Sequence, residues 1–60
     1  MSYDQATTIE TGARIKTRTG RCGEVLYYTD SGLSRHFSCV DDRGSFFEVH
    51  SANCHQIEGR

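Results

Sequence analysis

The chain has 60 residues, which suffices for one small domain and is too short for a large hydrophobic core. Hydrophobic residues make up 35% of the chain and charged residues 25%, a balance typical of a soluble globular domain and not of a disordered one. No apolar run approaches the roughly 18 residues that span a bilayer. The first residues also lack the basic start and apolar stretch of a signal peptide, so a cytoplasmic location without membrane binding is expected.

Residues 1–11 are polar, and we expect them to form a flexible N-terminal arm. From Gly12 onward, short runs of β-forming residues alternate with turn residues, a pattern that predicts strands and no sustained helix. The folded domain is therefore expected to span residues 12–58. The five predicted strands cover residues 13–17, 23–29, 35–41 and 45–50 and a closing segment that buries Cys54 and Ile57.

The turn between the third and fourth predicted strands determines how these strands pair. A three-residue hairpin loop ends in a left-handed residue, and Gly44 occupies that position after Asp41-Asp42-Arg43. A loop one residue shorter or longer would exchange the two faces of the hairpin and build a poorer core. The favoured register collects four side chains on the inner face: Phe37, Cys39, Phe47 and Val49.

Two pairs of adjacent apolar residues indicate an outward apolar surface, because neighbouring side chains of a strand point to opposite faces. If Val25 and Tyr27 point inward, their neighbours point outward, and the same holds around Phe47 and Val49. The predicted contact surface consists of Leu26, Tyr28, Val40 and Phe46. Exposed apolar surfaces of this kind mark interaction sites. We therefore predict a non-catalytic interaction module that forms a homo-oligomer or binds a protein partner, unless the N-terminal arm covers these side chains or they are scattered.

A pattern of turn glycines and strand starts extends over most of the chain. It consists of Gly12-Ala13-Arg14-Ile15, the turn at Gly20, Gly23-Glu24-Val25, Asp41-Asp42-Arg43-Gly44, and Val49 followed by Asn53-Cys54 and Ile57. This pattern resembles the SH3-like barrel group, which includes Tudor-like and KOW-like modules. The resemblance implies an all-β fold, a small five-stranded SH3-like barrel. For function it implies only binding, since such barrels bind RNA, DNA, peptides and other subunits.

Two stretches, Gly12-Ala13-Arg14-Ile15-Lys16 and Gly44-Ser45, are also similar to the plasmid-borne type II dihydrofolate reductases. Those enzymes are tetramers whose active site is a pore shared by four barrels. That family holds folate and nicotinamide with Gln-Ile-Tyr on its fourth strand, where this chain has Phe46-Phe47-Glu48-Val49. The ligand-binding side chains therefore do not carry over, and an oligomeric reductase is kept only as a second alternative.

The first alternative function is nucleic-acid binding through a basic stretch. Four basic residues occur within eight positions that contain no acidic residue, although the formal net charge of the chain is −1. These residues are Arg14, Lys16, Arg18 and Arg21. The first three alternate along one predicted strand, so they could follow a phosphate backbone while an exposed aromatic ring stacks on bases. The other interpretation is a solvated strand face whose charges prevent unwanted pairing.

Metal binding, catalysis and disulfides are not expected. Three cysteines cannot all pair within one chain, and we expect free thiols with at least two in the core. Histidines and cysteines occur near each other, but the chain lacks Cys-x-x-Cys, and the favoured register pairs His36 only with His50. No spacing assembles a nucleophile, a base and an orienting acid. We therefore predict no enzyme activity, no cofactor and no metal.

Overall fold

The computed structural model describes residues 1–58, which form five antiparallel strands in one sheet and one short helix. The prediction of an all-β fold with five strands is thereby confirmed. The strands are β1 (Arg14–Thr17), β2 (Cys22–Ser31), β3 (Ser34–Val40), β4 (Phe46–His50) and β5 (Cys54–Glu58). Helix α1 spans Tyr3–Ala6, and a 3-10 turn at Ser51–Asn53 connects β4 to β5.

The strands follow the order β4-β3-β2-β1-β5, so the chain runs as a meander from β1 to β4 and then returns to pair β5 with β1. β4 and β5 are the two edges of the sheet within the described residues. The sheet has a single core, in which buried side chains from β1, β2, β3 and β5 belong to one cluster. That cluster contains Ala6, Ile9, Ala13, Ile15, Val25, Phe37, Cys39 and Cys54.

The first eleven residues contribute to this core, contrary to the expectation of a loose arm with little to bury. α1 begins with a capping box, in which the Ser2 hydroxyl accepts a hydrogen bond from the Gln5 N–H and the Gln5 side chain accepts one from the Ser2 N–H. Ala6 and Ile9 are both buried, at 0% and 2% exposure. The cap therefore starts a single helical turn that buries Ala6, and Ile9 follows it into the core.

The predicted hairpin register between β3 and β4 is confirmed. The Asp41 N–H donates to the Ser45 carbonyl at 2.9 Å, and Gly44 adopts a left-handed φ of 81°. Cys39 pairs with Phe47, and two residues further Phe37 pairs with Val49. The turn therefore sets the pairing of both strands, as argued from the position of its glycine.

A β-bulge at Leu26 makes the prediction of strict alternation through β2 wrong. Val25 and Tyr27 pair with consecutive residues of β3, so Leu26 has no partner of its own. Tyr28 then pairs with Phe37, which is fully buried. Because directly paired residues share a face, Tyr28 lies on the inner face of the sheet and Tyr27 on the outer face.

One of the two burial predictions in β5 is wrong. Cys54 is buried as predicted, whereas Ile57 is 46% exposed. Glu58 pairs with Arg14, but Gln56 pairs with Ile15, so Ile57 is the extra residue between two successive pairs. Because Cys54 and Ile57 are three positions apart, alternation alone places them on opposite faces, and the register shift leaves Ile57 without a partner on β1.

The side chain of Arg35 joins the N-terminal segment to the sheet. Arg35 of β3 is buried and donates two hydrogen bonds to Asp30 of β2, Nε to Oδ1 at 2.6 Å and Nη2 to Oδ2 at 2.8 Å. Its Nη1 donates to the Ala6 carbonyl of α1 at 3.2 Å. The guanidinium carbon also lies 3.7 Å from the ring centroid of Tyr28 and 5.8 Å from that of Tyr3. A single cation therefore holds α1, β2 and β3 together.

Replacing Arg35 with Met should remove these hydrogen bonds while keeping much of the side-chain volume. We expect the free energy of unfolding to fall by about 2 kcal/mol, since hydrogen bonds to charged groups contribute roughly this much. Urea denaturation measures the change. Arg43→Met is the control, because Arg43 is exposed and forms no ion pair within residues 1–58. Equal midpoints for Arg35→Met and the unaltered chain would contradict the role given to Arg35.

The same ion pair should make stability depend on acid. Hydrogen bonds from Arg35, together with its charge and the Tyr3 hydroxyl, lower the pKa of Asp30 from its usual 3.8, although partial desolvation opposes this. The ionised carboxylate therefore stabilises the folded state above about pH 4, and this contribution is lost as the pH falls through the lowered pKa. Urea titrations at neutral and strongly acidic pH should show a larger loss of stability for the unaltered chain than for Asp30→Asn. Equal acid dependence of the two proteins would refute this assignment.

Candidate interaction surface

The four residues predicted as a contact surface do not all lie on one face. Leu26 and Phe46 are on the outer side of the sheet, 37% and 76% exposed, and half-buried Val40 pairs with Phe46. Tyr28 is 46% exposed but belongs to the inner face, where its ring covers Arg35. The bulge in β2 therefore removes Tyr28 from the predicted surface.

Tyr27 takes the place of Tyr28 on the outer face and is 60% exposed. It lines a groove of about 410 Å³ together with Leu26, Phe46, Ser38 and Glu48. Strict alternation assigned this tyrosine to the core, and only recognition of the bulge could have corrected it. We call the four outer side chains the outer apolar patch: Leu26, Tyr27, Val40 and Phe46.

Carboxylates border the outer apolar patch. Glu48 lines the groove itself, and Glu24 pairs with Val40 on the same face. Neither of them forms an ion pair with another residue between 1 and 58. The nearest cation in the pairing scheme is Arg14, opposite Glu24, and its Nη2 is already bound to Asp42 Oδ1 at 3.1 Å. The surface is therefore apolar at its centre and negative at its border.

The free edge of β4 continues this surface. The hydrogen bond from Asp41 to Ser45 fixes the alternation of the β3–β4 ladder. Phe46, Glu48 and His50 consequently occupy positions whose backbone N–H and C=O groups point away from β3. β4 contains no proline, lysine or bulge, the devices that commonly keep an edge strand from pairing. This edge is thus available to another strand.

Phe47 points to the inner face of β4, where it packs between Gly23 of β2 and Arg21 of the β1–β2 turn. Its ring contacts Gly23 so closely that a Cβ there would lie 2.7 Å from Phe47 Cε1. The Arg21 guanidinium covers the ring at 4.2 Å and is held by Asp41 Oδ2 at 3.0 Å. A second groove, of about 430 Å³, opens beside this stack. Its lining comprises Thr17, Arg18, Thr19, Arg21, Phe47, Glu48, Val49 and Asn53.

The predicted basic stretch is divided by two ion pairs. Arg14 and Arg21 are bound to Asp42 and Asp41 of the β3–β4 turn. Backbone hydrogen bonds in the turn, with the bond from Arg21, lower the pKa of Asp41, so this acid is charged at neutral pH. Lys16 and Arg18 are exposed and lack an ion pair within the described chain. Only part of the predicted positive charge therefore remains without a partner.

The histidines and cysteines form no site beyond local contacts. The predicted pair of His36 and His50 is confirmed, with ring centroids 4.8 Å apart and rings nearly perpendicular. His50 Nδ1 also accepts a hydrogen bond from the Ala52 N–H at 3.0 Å. Among residues 1–58, no group of three histidine, cysteine or acidic side chains could hold a metal ion.

The three thiols are free, and two of them are buried, as expected. Burial raises the pKa of Cys39 to about 11, and the proximity of Cys54 adds to the effect. Burial also raises the pKa of Cys54, partly opposed by the amino terminus. Both thiols therefore remain protonated and poorly nucleophilic at neutral pH. Cys22, which is half-buried, is the most accessible of the three.

Within residues 1–58, no helix has the length and apolar character needed to cross a membrane. Comparison of this chain with protein-family models, with curated proteins and with solved structures finds no match.

Proposed function

We propose that this chain is a non-catalytic protein-interaction module with an SH3-like barrel fold, and that it self-associates through the outer apolar patch. The fold proposal is supported by the strand order β4-β3-β2-β1-β5 and by the single core to which β1, β2, β3 and β5 contribute. The 3-10 turn between β4 and β5 supports it further. This arrangement is what the resemblance of residues 12–57 implies.

The exposure of Phe46 is the observation that carries the proposal of self-association. Phe46 is 76% exposed, and Tyr27 beside it is 60% exposed. Burying a side chain of this size contributes about 1.5–3 kcal/mol, so covering both rings would be a substantial gain for a protein with so few buried residues. A second copy of the chain is the simplest cover, since it enlarges a thin core without any further component.

The open edge of β4 adds a second means of contact to the same surface. Its outward-pointing backbone groups at Phe46 and Glu48 can pair with an incoming strand. Backbone hydrogen bonds of this kind supply affinity, while neighbouring side chains supply specificity. The patch and the edge lie side by side, so one partner could use both.

The two alternative functions have weaker support. Nucleic-acid binding would rely on Lys16 and Arg18, because Arg14 and Arg21 are bound to aspartates within the chain. Binding to single strands that weakens steeply with added salt would favour it. An oligomeric reductase would need ligand-binding groups on β4, where this chain carries Phe46 and its neighbours.

Light scattering at micromolar concentration tests the proposal with the variant Phe46→Glu. We expect a mass larger than one chain for the unaltered protein and the mass of one chain for Phe46→Glu, because a charge would then lie in the apolar contact. Leu33→Glu is the matched control: Leu33 is 81% exposed but lies in the β2–β3 turn, outside the patch. This control should associate like the unaltered protein.

Circular dichroism should show that both variants remain folded, since both positions are exposed. A single-chain mass for the unaltered protein throughout the micromolar range would refute self-association. An oligomer that is indifferent to Phe46→Glu would refute the assigned surface.

A further inference from the structure

The groove in the outer apolar patch has the chemistry of a site for a cationic side chain. Its walls are the exposed rings of Tyr27 and Phe46 and the side chain of Leu26. Glu48, the acidic residue of its lining, has no ion-pair partner within residues 1–58. An ammonium or guanidinium group is attracted by aromatic faces and by a carboxylate, and its aliphatic stem packs on apolar walls.

A cation of this kind is presented by the chain itself, on β1. Lys16 is exposed and has no carboxylate within ion-pair distance in the described residues. Its neighbours across the sheet are Cys22 on β2 and His55 on β5, so no acidic residue lies opposite it. Arg18 also lacks an ion pair but lines the second groove together with Glu48 of its own chain. Lys16 is therefore the cation best placed to reach another molecule.

The arrangement of charge disfavours a face-to-face contact between two outer apolar patches. Such a contact would bring Glu24 and Glu48 of both copies together around two grooves whose lining contains no basic residue, and like charges in an interface oppose association. Lys16 lies on β1 and is not part of the groove lining, which comes from β2, β3 and β4. A single copy can therefore present Lys16 to one neighbour and the groove to another.

This step rests on the proposed self-association. We propose that the contact is heterologous: the groove formed by Leu26, Tyr27, Phe46 and Glu48 of one copy receives Lys16 from β1 of the next copy. In a heterologous contact the second copy does not return its own Lys16 to the groove of the first, so one contact leaves a free groove at one end and a free Lys16 at the other. Association then continues beyond a dimer, into a ring or an open chain of copies. Added salt weakens it, because the contact contains an exposed ion pair.

A mixing experiment tests the inference with two variants, each of which disables one half of the contact. Phe46→Glu places a carboxylate in the groove and leaves Lys16 unchanged. Lys16→Glu replaces the cation with a carboxylate and leaves the groove unchanged. Light scattering should give the mass of one chain for each variant alone. An equimolar mixture should give the mass of two chains and nothing larger, because one functional contact forms and no free pair of surfaces remains. Arg43→Glu makes the same change of charge at an exposed position outside the groove lining and should leave the oligomer intact.

The outcomes separate this inference from the function on which it rests. If the unaltered protein has the mass of one chain, self-association itself is wrong. If Phe46→Glu dissociates the oligomer but Lys16→Glu does not, self-association stands and the heterologous contact is wrong. Dissociation by Arg43→Glu would likewise overturn the inference, since the effect would then follow from overall charge. Should Lys16→Glu fail to fold, Lys16→Gln should weaken association and its sensitivity to salt, and unchanged values would overturn the inference.

Discussion

The ion pair between the buried Arg35 and Asp30 determines which side chains of β2 face the interior. A buried guanidinium requires a carboxylate, so Asp30 must lie on the inner face with Arg35. Val25 must lie there too, because it belongs to the core. These two positions of β2 are an odd number of residues apart, and a regular strand cannot place both on one face. The extra residue at Leu26 resolves this conflict and, as a result, turns Tyr27 outward.

The exposure of the outer apolar patch thus follows from the way the core is packed. Residues 1–58 form one sheet with one small core, and none of them covers the outer side of β2, β3 and β4. The N-terminal segment, which could have covered it, packs Ala6 and Ile9 into the core instead. Arg35 fixes that choice through its bond to the Ala6 carbonyl. Phe46 consequently remains in contact with solvent.

Features set by local chemistry could be predicted from the sequence, and features set by contacts distant in sequence could not. The turn at Gly44 was sufficient to predict the register of β3 and β4, since its length and its left-handed glycine allow one good pairing. Alternation failed at Leu26, where a single inserted residue reverses the faces of β2 without changing the composition. Asp41 was explained by its turn, yet it also binds Arg21, which the sequence places 20 positions earlier.

The close approach of Gly23 to Phe47 couples the β1–β2 turn, which contains Arg21, to the β3–β4 turn, which contains Asp41. Phe47 lies against the backbone of β2 on one side and under Arg21 on the other, and Arg21 is tied to Asp41 of the β3–β4 turn. A methyl group at position 23 would displace the ring and, with it, this cation and its acid. Phe47 lies between Phe46 and Glu48 along the chain. The shape of the outer groove therefore also depends on the absence of a side chain at Gly23. Sequence variation in the two loops is therefore expected to be correlated.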